Sequence, residues 1–198
     1  MNNYNKLTKS DSNSINRNKI YQSQKVKDMV LTAMFTAIIC VMAQITIPTQ
    51  PIPFSLSLFS IFLTGALLKP KSAFLSTLTY ILLGAFGIPV FAGFRSGFQA
   101  LLGMTGGYIM AYPLMALVVS IVIRKARRYQ VFWLVTGMLL SLILCYLLGT
   151  IWFTFISGSG FTYALSVCVI PFIPFDIVKI VLATITSIVI KKTLRDIL

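Results

Sequence analysis

Three ionisable residues stand where an apolar chain has least reason to carry them. Asp176 and Lys179 lie inside a long apolar run, and Arg95 lies in a Gly-rich stretch between two others. An ionisable group in a transmembrane helix costs about 2.5–3.5 kcal/mol on insertion scales, so each needs a partner or a role. At i, i+3 spacing Asp176 and Lys179 share a helix face and can pair. Read by itself this is a neutral ion pair, with Asp176 also capping a helix that starts after Pro174. That reading leaves Arg95 without a reason. Taken together, two cations and one anion suit a small ligand with one carboxylate and several N–H donors. Arg or Lys would hold the carboxylate, Arg in bidentate fashion, and Asp176 would accept from the N–H groups. Tyr80, Phe91, Phe94, Phe98, Tyr108 and Trp152 fall near the same level and can wall an apolar body. Each also suits an interface belt or simple packing.

The elements that must position these residues follow from composition. Of 198 residues, 57% are hydrophobic and 11% charged. A soluble domain carries roughly a quarter of its residues as charges, and a mean hydropathy of +0.88 fits a membrane protein. Residues 1–24 are polar and read as a flexible cytoplasmic tail; no short apolar segment with a cleavage site marks a signal peptide. Residues 25–198 then form one membrane domain. Six apolar segments predict six helices: Met29–Ile47, Pro53–Leu68, Ala73–Phe91, Leu102–Ile123, Val131–Ile156 and Pro171–Ile190. They are apolar all round, which excludes a barrel. The fold class is therefore an all-α membrane bundle of six transmembrane helices.

Charge orients the bundle. The chain has 17 Lys plus Arg against 4 acids, all Asp, for a net charge of +13. Fifteen of the basic residues fall in the tail, before the first segment, or after the second, fourth and sixth. Those positions share one side of an even-membered bundle, so both termini are expected in the cytoplasm of a cell-membrane protein. The run Arg124–Arg128 is explained by topology or by anionic lipid heads, not by nucleic acid. Arg95 and Lys179 alone fall on the other side. Gly and Pro crowd that side as well, and Gly93/Gly97 and Gly103/Gly107 have a spacing that permits close helix approach. Pro48, Pro51 and Pro53 break the chain there, between the first two segments.

Several chemistries are excluded. No GxxxxGK[ST] motif is present to use ATP, and Gly103–Tyr108 (GMTGGY) lacks the lysine of a phosphate loop. Without His and with one intramembrane Asp, zinc chemistry, a two-Asp protease and a His-activated nucleophile are all unavailable. Cys40, Cys145 and Cys168 sit in apolar runs and read as small packing residues. An enzyme is not expected, and no metal or cofactor is.

Tyr80–Phe94 (YILLGAFGIPVFAGF), Gly103–Tyr108 and Pro171–Ala183 (PFIPFDIVKIVLA) resemble the hallmark segments of the BioY family, from about Val30 to the C-terminus. That family comprises the biotin-specific substrate-binding S components of energy-coupling-factor transporters. The resemblance implies an extracytoplasmic biotin pocket in a six-helix S-component fold. It also implies assembly with a transmembrane coupling subunit and two ATPase subunits, and inward delivery as the S component topples. It makes Asp176 and Lys179 ligand contacts, joined by Arg95, and the aromatic residues Tyr80 and Phe91 are expected to wall the ligand beside them. Ala33-x-x-x-Ala37 resembles the small-residue motif by which S components dock their partner. The valerate carboxylate, ureido N–H groups and apolar ring of biotin match the three-charge site. The chain departs from the family pattern at Phe175, where a Gly is usual, at Met104 for Pro, and at Ser55 and Ser57. Three alternatives remain: an S component for another vitamin, a self-sufficient secondary transporter of a small carboxylate, and a non-transporting membrane scaffold in which the charge pair is only structural.

Overall fold

The computed structural model describes the backbone of residues 2–49, 52–125 and 130–197, and the side chains of 21–49, 52–125 and 130–193. Pro51, Arg127 and Arg128, and the side chains of residues 1–20 and of Arg195, lie outside these. The elements in chain order are α1 (Asn2–Gln44), β1 (Thr46–Ile47), β2 (Phe54–Ser55), α2 (Ser57–Leu67), α3 (Pro70–Ala85), α4 (Phe98–Leu102), α5 (Gly106–Arg124), α6 (Gln130–Ser157), α7 (Phe161–Cys168) and α8 (Ile173–Ile197).

The described chain is almost wholly helical. Four helices are long and apolar enough to cross a membrane: Tyr21–Gln44 of α1, Gly106–Arg124, Gln130–Ser157 and Ile173–Thr193. The helices α2 and α3, with 11 and 16 residues, reach only about 16 and 24 Å at 1.5 Å per residue. The expected third segment ends early, at Ala85 instead of Phe91. Gly87 takes φ +96° and Pro89 follows, and neither can continue a helix. Pro70 opens α3 at its first turn, where its missing N–H costs nothing. The fourth segment begins at Gly106, because Leu102 belongs to the separate short helix α4. Residues 2–24 continue α1, so the boundary at residue 24 is one of composition.

The helix α5 sits at the centre, packed against α6, α3 and α2, while α1 covers α3 and α2, and α8 lies on α2 and α6. Small residues permit the closest crossing. A Cβ at Gly65 would lie 2.7 Å from the Ala116 carbonyl oxygen and from Cβ of Val119, which fixes α2 against α5. Hydroxyls tie other pairs. Thr36 donates to the Ser76 carbonyl at 3.0 Å, and Ser76 donates to the Thr32 carbonyl at 2.9 Å, locking α1 to α3.

The basic clusters gather at one end. Lys69 pairs with Asp28 at 2.7 Å, Ser120 donates to the Leu68 carbonyl at 2.7 Å, and Lys191 and Lys192 flank the start of α6. The exposed Lys69–Asp28 pair adds little stability, but it marks which ends meet. The opposite end carries a two-stranded hairpin, in which Thr46 pairs with Ser55 and Ile47 with Phe54, and the irregular segment that leads to α4.

Candidate functional site

The residues singled out in sequence divide into two adjacent groups at the hairpin end. Tyr80 on α3 is 1% exposed and Phe91, after α3, is 2% exposed. Their rings meet edge to face at 5.5 Å. With Arg95, Ser55, Ser57 and Tyr112 they line a cavity of about 50 Å³. The Ser55 and Ser57 hydroxyls are 2.6 Å apart, and Ser57 lies 3.3 Å from the Tyr112 hydroxyl. The two serines that depart from the family pattern thus form a polar strip in this wall. Gly84 is required here by space, since a Cβ would fall 2.1 Å from the Phe91 ring.

Asp176 and Lys179 on α8 form the second group and do not line that cavity. Both are buried, and Lys179 Nζ meets Asp176 Oδ1 at 2.8 Å. The Tyr146 hydroxyl, from α6, donates to Oδ2 at 2.6 Å. Asp176 therefore does not cap α8; its two oxygens face Lys179 and Tyr146 instead. The ammonium of Lys179 also lies 4.0 Å from the centre of the Phe54 ring, a cation–π contact in a desolvated setting. Phe175 meets Phe54 edge-on at 5.0 Å, so the aromatic at the family's usual glycine position props the ring that covers Lys179. Successive strand residues face opposite ways: Ser55 of β2 lines the cavity, while Phe54 covers the ion pair.

The segment bearing Arg95 is held by one amide. Gln44, the last residue of α1, donates to the Pro89 and Phe91 carbonyls at 3.3 Å each. Its oxygen accepts from the Phe94 N–H at 3.0 Å. Phe94 itself takes φ +57°, a left-handed conformation costly for an aromatic residue. A short backbone bridge joins Phe91 to Arg95, which sets the exposed Arg95 at the cavity mouth.

Some sequence expectations are corrected here. Phe94 and Phe98 point outward, at 69% and 64% exposure, and wall nothing. Gly93 and Gly97 do not pack helices; both have positive φ with open space beside them and serve a turn. Gly107 does pack, against Trp152, whose indole N–H donates to the Gly103 carbonyl at 3.0 Å. Ala33 and Ala37 are both exposed on one face of α1. Tyr146, Phe54, Tyr112 and Gln44 were not singled out from sequence. Only Phe54 had a local signal, its place after the proline break.

The two groups offer cations, one paired carboxylate, hydroxyls and aromatic faces. No cluster of metal-ligating residues occurs among the described residues. The chain is 42% identical to a "Probable biotin transporter BioY" of Pyrococcus horikoshii over 82% of its own length and 95% of the relative's. It is 36% identical to the "Biotin transporter BioY" of Thermotoga maritima over 84% and 97%. Its fold is similar to the crystal structure of "the S-component for biotin from an ECF-type ABC transporter", with a TM-score of 0.79 and 28% identity, covering 86% of this chain and 93% of that one. Residues 12–196 match the BioY family as a whole, and the chain belongs to that family.

Proposed function

We propose that this chain is the biotin-binding S component of an energy-coupling-factor transporter. It captures biotin at the extracytoplasmic side of the cell membrane and delivers it inward without chemical change. The observation that carries the reading is the buried Asp176–Lys179 pair, capped by Phe54 and adjoining an aromatic cavity with Arg95 at its mouth, in a chain of the BioY family. An ion pair buried this deeply is a poor source of stability. It earns its place as a recognition site, where Asp176 accepts ureido N–H groups. Arg95 receives the carboxylate, and Tyr80 and Phe91 pack on the apolar ring.

A cavity of about 50 Å³ holds a water or two. Biotin enters when Phe54 swings away and joins the cavity to the ion pair. In this reading six helices cross the bilayer, with α2 and α3 completed at the outer end by the hairpin and the Arg95 segment. The basic end faces the cytoplasm, as positive charge dictates, and both termini lie there. The exposed Ala33/Ala37 face of α1 meets a transmembrane coupling subunit, which joins the chain to two ATPase subunits.

Calorimetric titration of the purified chain with biotin, without nucleotide, tests the reading. Tight binding that thiamin and riboflavin do not compete away is expected. Absence of heat, or displacement by either vitamin, overturns it.

A further inference from the structure

At the basic end, far from the ion pair, a groove of about 480 Å³ opens between the ends of α5, α6 and α8. We infer that this groove binds the headgroup of an anionic phospholipid. Its polar and apolar linings are sorted along the helix axes. Gln130, Lys191 and Lys192 form the outer rim, while Ile123, Leu134 and Ile188 line the groove. Ile188 lies one turn further into the span than Lys191, and Leu134 one turn further than Gln130. The Ser187 hydroxyl is spent on the Thr184 carbonyl at 2.9 Å, which makes that part of the wall non-donating. A phosphate at the rim and an acyl chain along the isoleucines reproduce this order; a free anion has no use for the apolar half.

Charge supports the same occupant. Among the described residues no acid lines the groove, and the Arg124 guanidinium acts on Lys191 as a neighbouring like charge. Among the described side chains both acids are engaged elsewhere, Asp28 by Lys69 and Asp176 by Lys179. Lys191 is half-buried against the groove, so its charge is placed, not merely trailing in water. Depth agrees as well. The apolar run of α8 gives way to Lys191 and Lys192 after Ile190, and Phe132 and Trp133 meet edge to face in the first turn of α6, as aromatics do at the membrane interface. Basic pockets between helices at this level suit lipid phosphates.

The test uses the full chain in phosphatidylcholine bilayers doped with phosphatidylglycerol brominated on its acyl chains. Trp133, beside the groove, reports by quenching. Quenching by the brominated phosphatidylglycerol should exceed that by brominated phosphatidylcholine at equal mole fraction. Lys191→Gln with Lys192→Gln should weaken it by about fivefold per lysine, and Lys191→Arg with Lys192→Arg should retain it. Inorganic phosphate in large excess should not displace the lipid. Equal quenching by the two lipids, no change in the Gln variant, or displacement by phosphate overturns the inference. Retention of phosphatidylglycerol over phosphatidylcholine by the unaltered protein, read by native mass spectrometry, decides the question if a variant fails to fold. Biotin titration of the same samples reports the other site separately.

Discussion

Tyr146 and Asp176 belong to different helices and share the shortest contact of the ion-pair group, a hydroxyl-to-carboxylate hydrogen bond of 2.6 Å. Lys179 takes the other carboxylate oxygen at 2.8 Å. A carboxylate offers about four lone-pair sites, so Asp176 is aimed by α6 and α8 together and still has capacity for a ligand's N–H donors. Tyr146→Phe removes the aim without adding bulk. A hydrogen bond to a charged group contributes about 1.5–3 kcal/mol, so biotin binding is expected to weaken about ten- to a hundredfold. Calorimetry on the variant checks this; unchanged affinity would show that Asp176 is held by Lys179 alone.

The ion pair separates a structural role from a binding one. Removing one partner leaves a buried charge alone, at a cost of about 3–5 kcal/mol. Asp176→Leu and Lys179→Met as single changes should therefore lower the unfolding temperature markedly. The double variant replaces both charges by apolar groups of similar size, and it should recover most of that loss. Biotin binding should stay abolished in all three. Thermal unfolding in detergent, paired with titration, reads both quantities. Binding by the stable double variant would mean that the pair only packs α8.

Arg95 is assigned to the carboxylate, and the ligand itself can be edited to examine that. Arg95→Ala should weaken biotin about tenfold or more, the size of a lost charge-assisted contact. Biotin methyl ester lacks the negative charge, so its weaker binding should be nearly the same to the native chain and to the variant. Equal losses for acid and ester would move the carboxylate contact to Lys179.

What the sequence made legible follows from contrast. Asp176, Lys179 and Arg95 stood out because charges are conspicuous in apolar surroundings and the other fifteen basic residues were explained by topology. Tyr146 was not legible, since one tyrosine in the apolar run of α6 looks like any packing residue. Gln44 was hidden for a related reason: its three bonds to residues 89–94 span 45 residues or more of sequence and leave no local pattern. The prolines near Pro53 announced a break but not the Thr46–Ser55 pairing, and that pairing is what turns Phe54 onto Lys179. Hydropathy also ran the third segment on to Phe91, because Phe86, Ile88, Val90 and Phe91 are apolar. The structure ends α3 at Ala85 and uses Phe91 as a cavity wall.

The assignment of α1 to partner docking makes a prediction that binding cannot mimic. Ala33 and Ala37 are exposed, while Phe35, Thr36 and Ile39 on the other face are buried. Small exposed residues one turn apart leave a shallow groove into which another helix can settle closely. Ala33→Trp or Ala37→Trp fills that groove from outside and touches neither the core nor the ion pair. Biotin titration on the purified variants should match the native chain, whereas co-purification with the coupling subunit and uptake by cells should fall sharply. Loss of biotin binding instead would place this face of α1 against the ligand site, and normal uptake would place the docking surface on another helix.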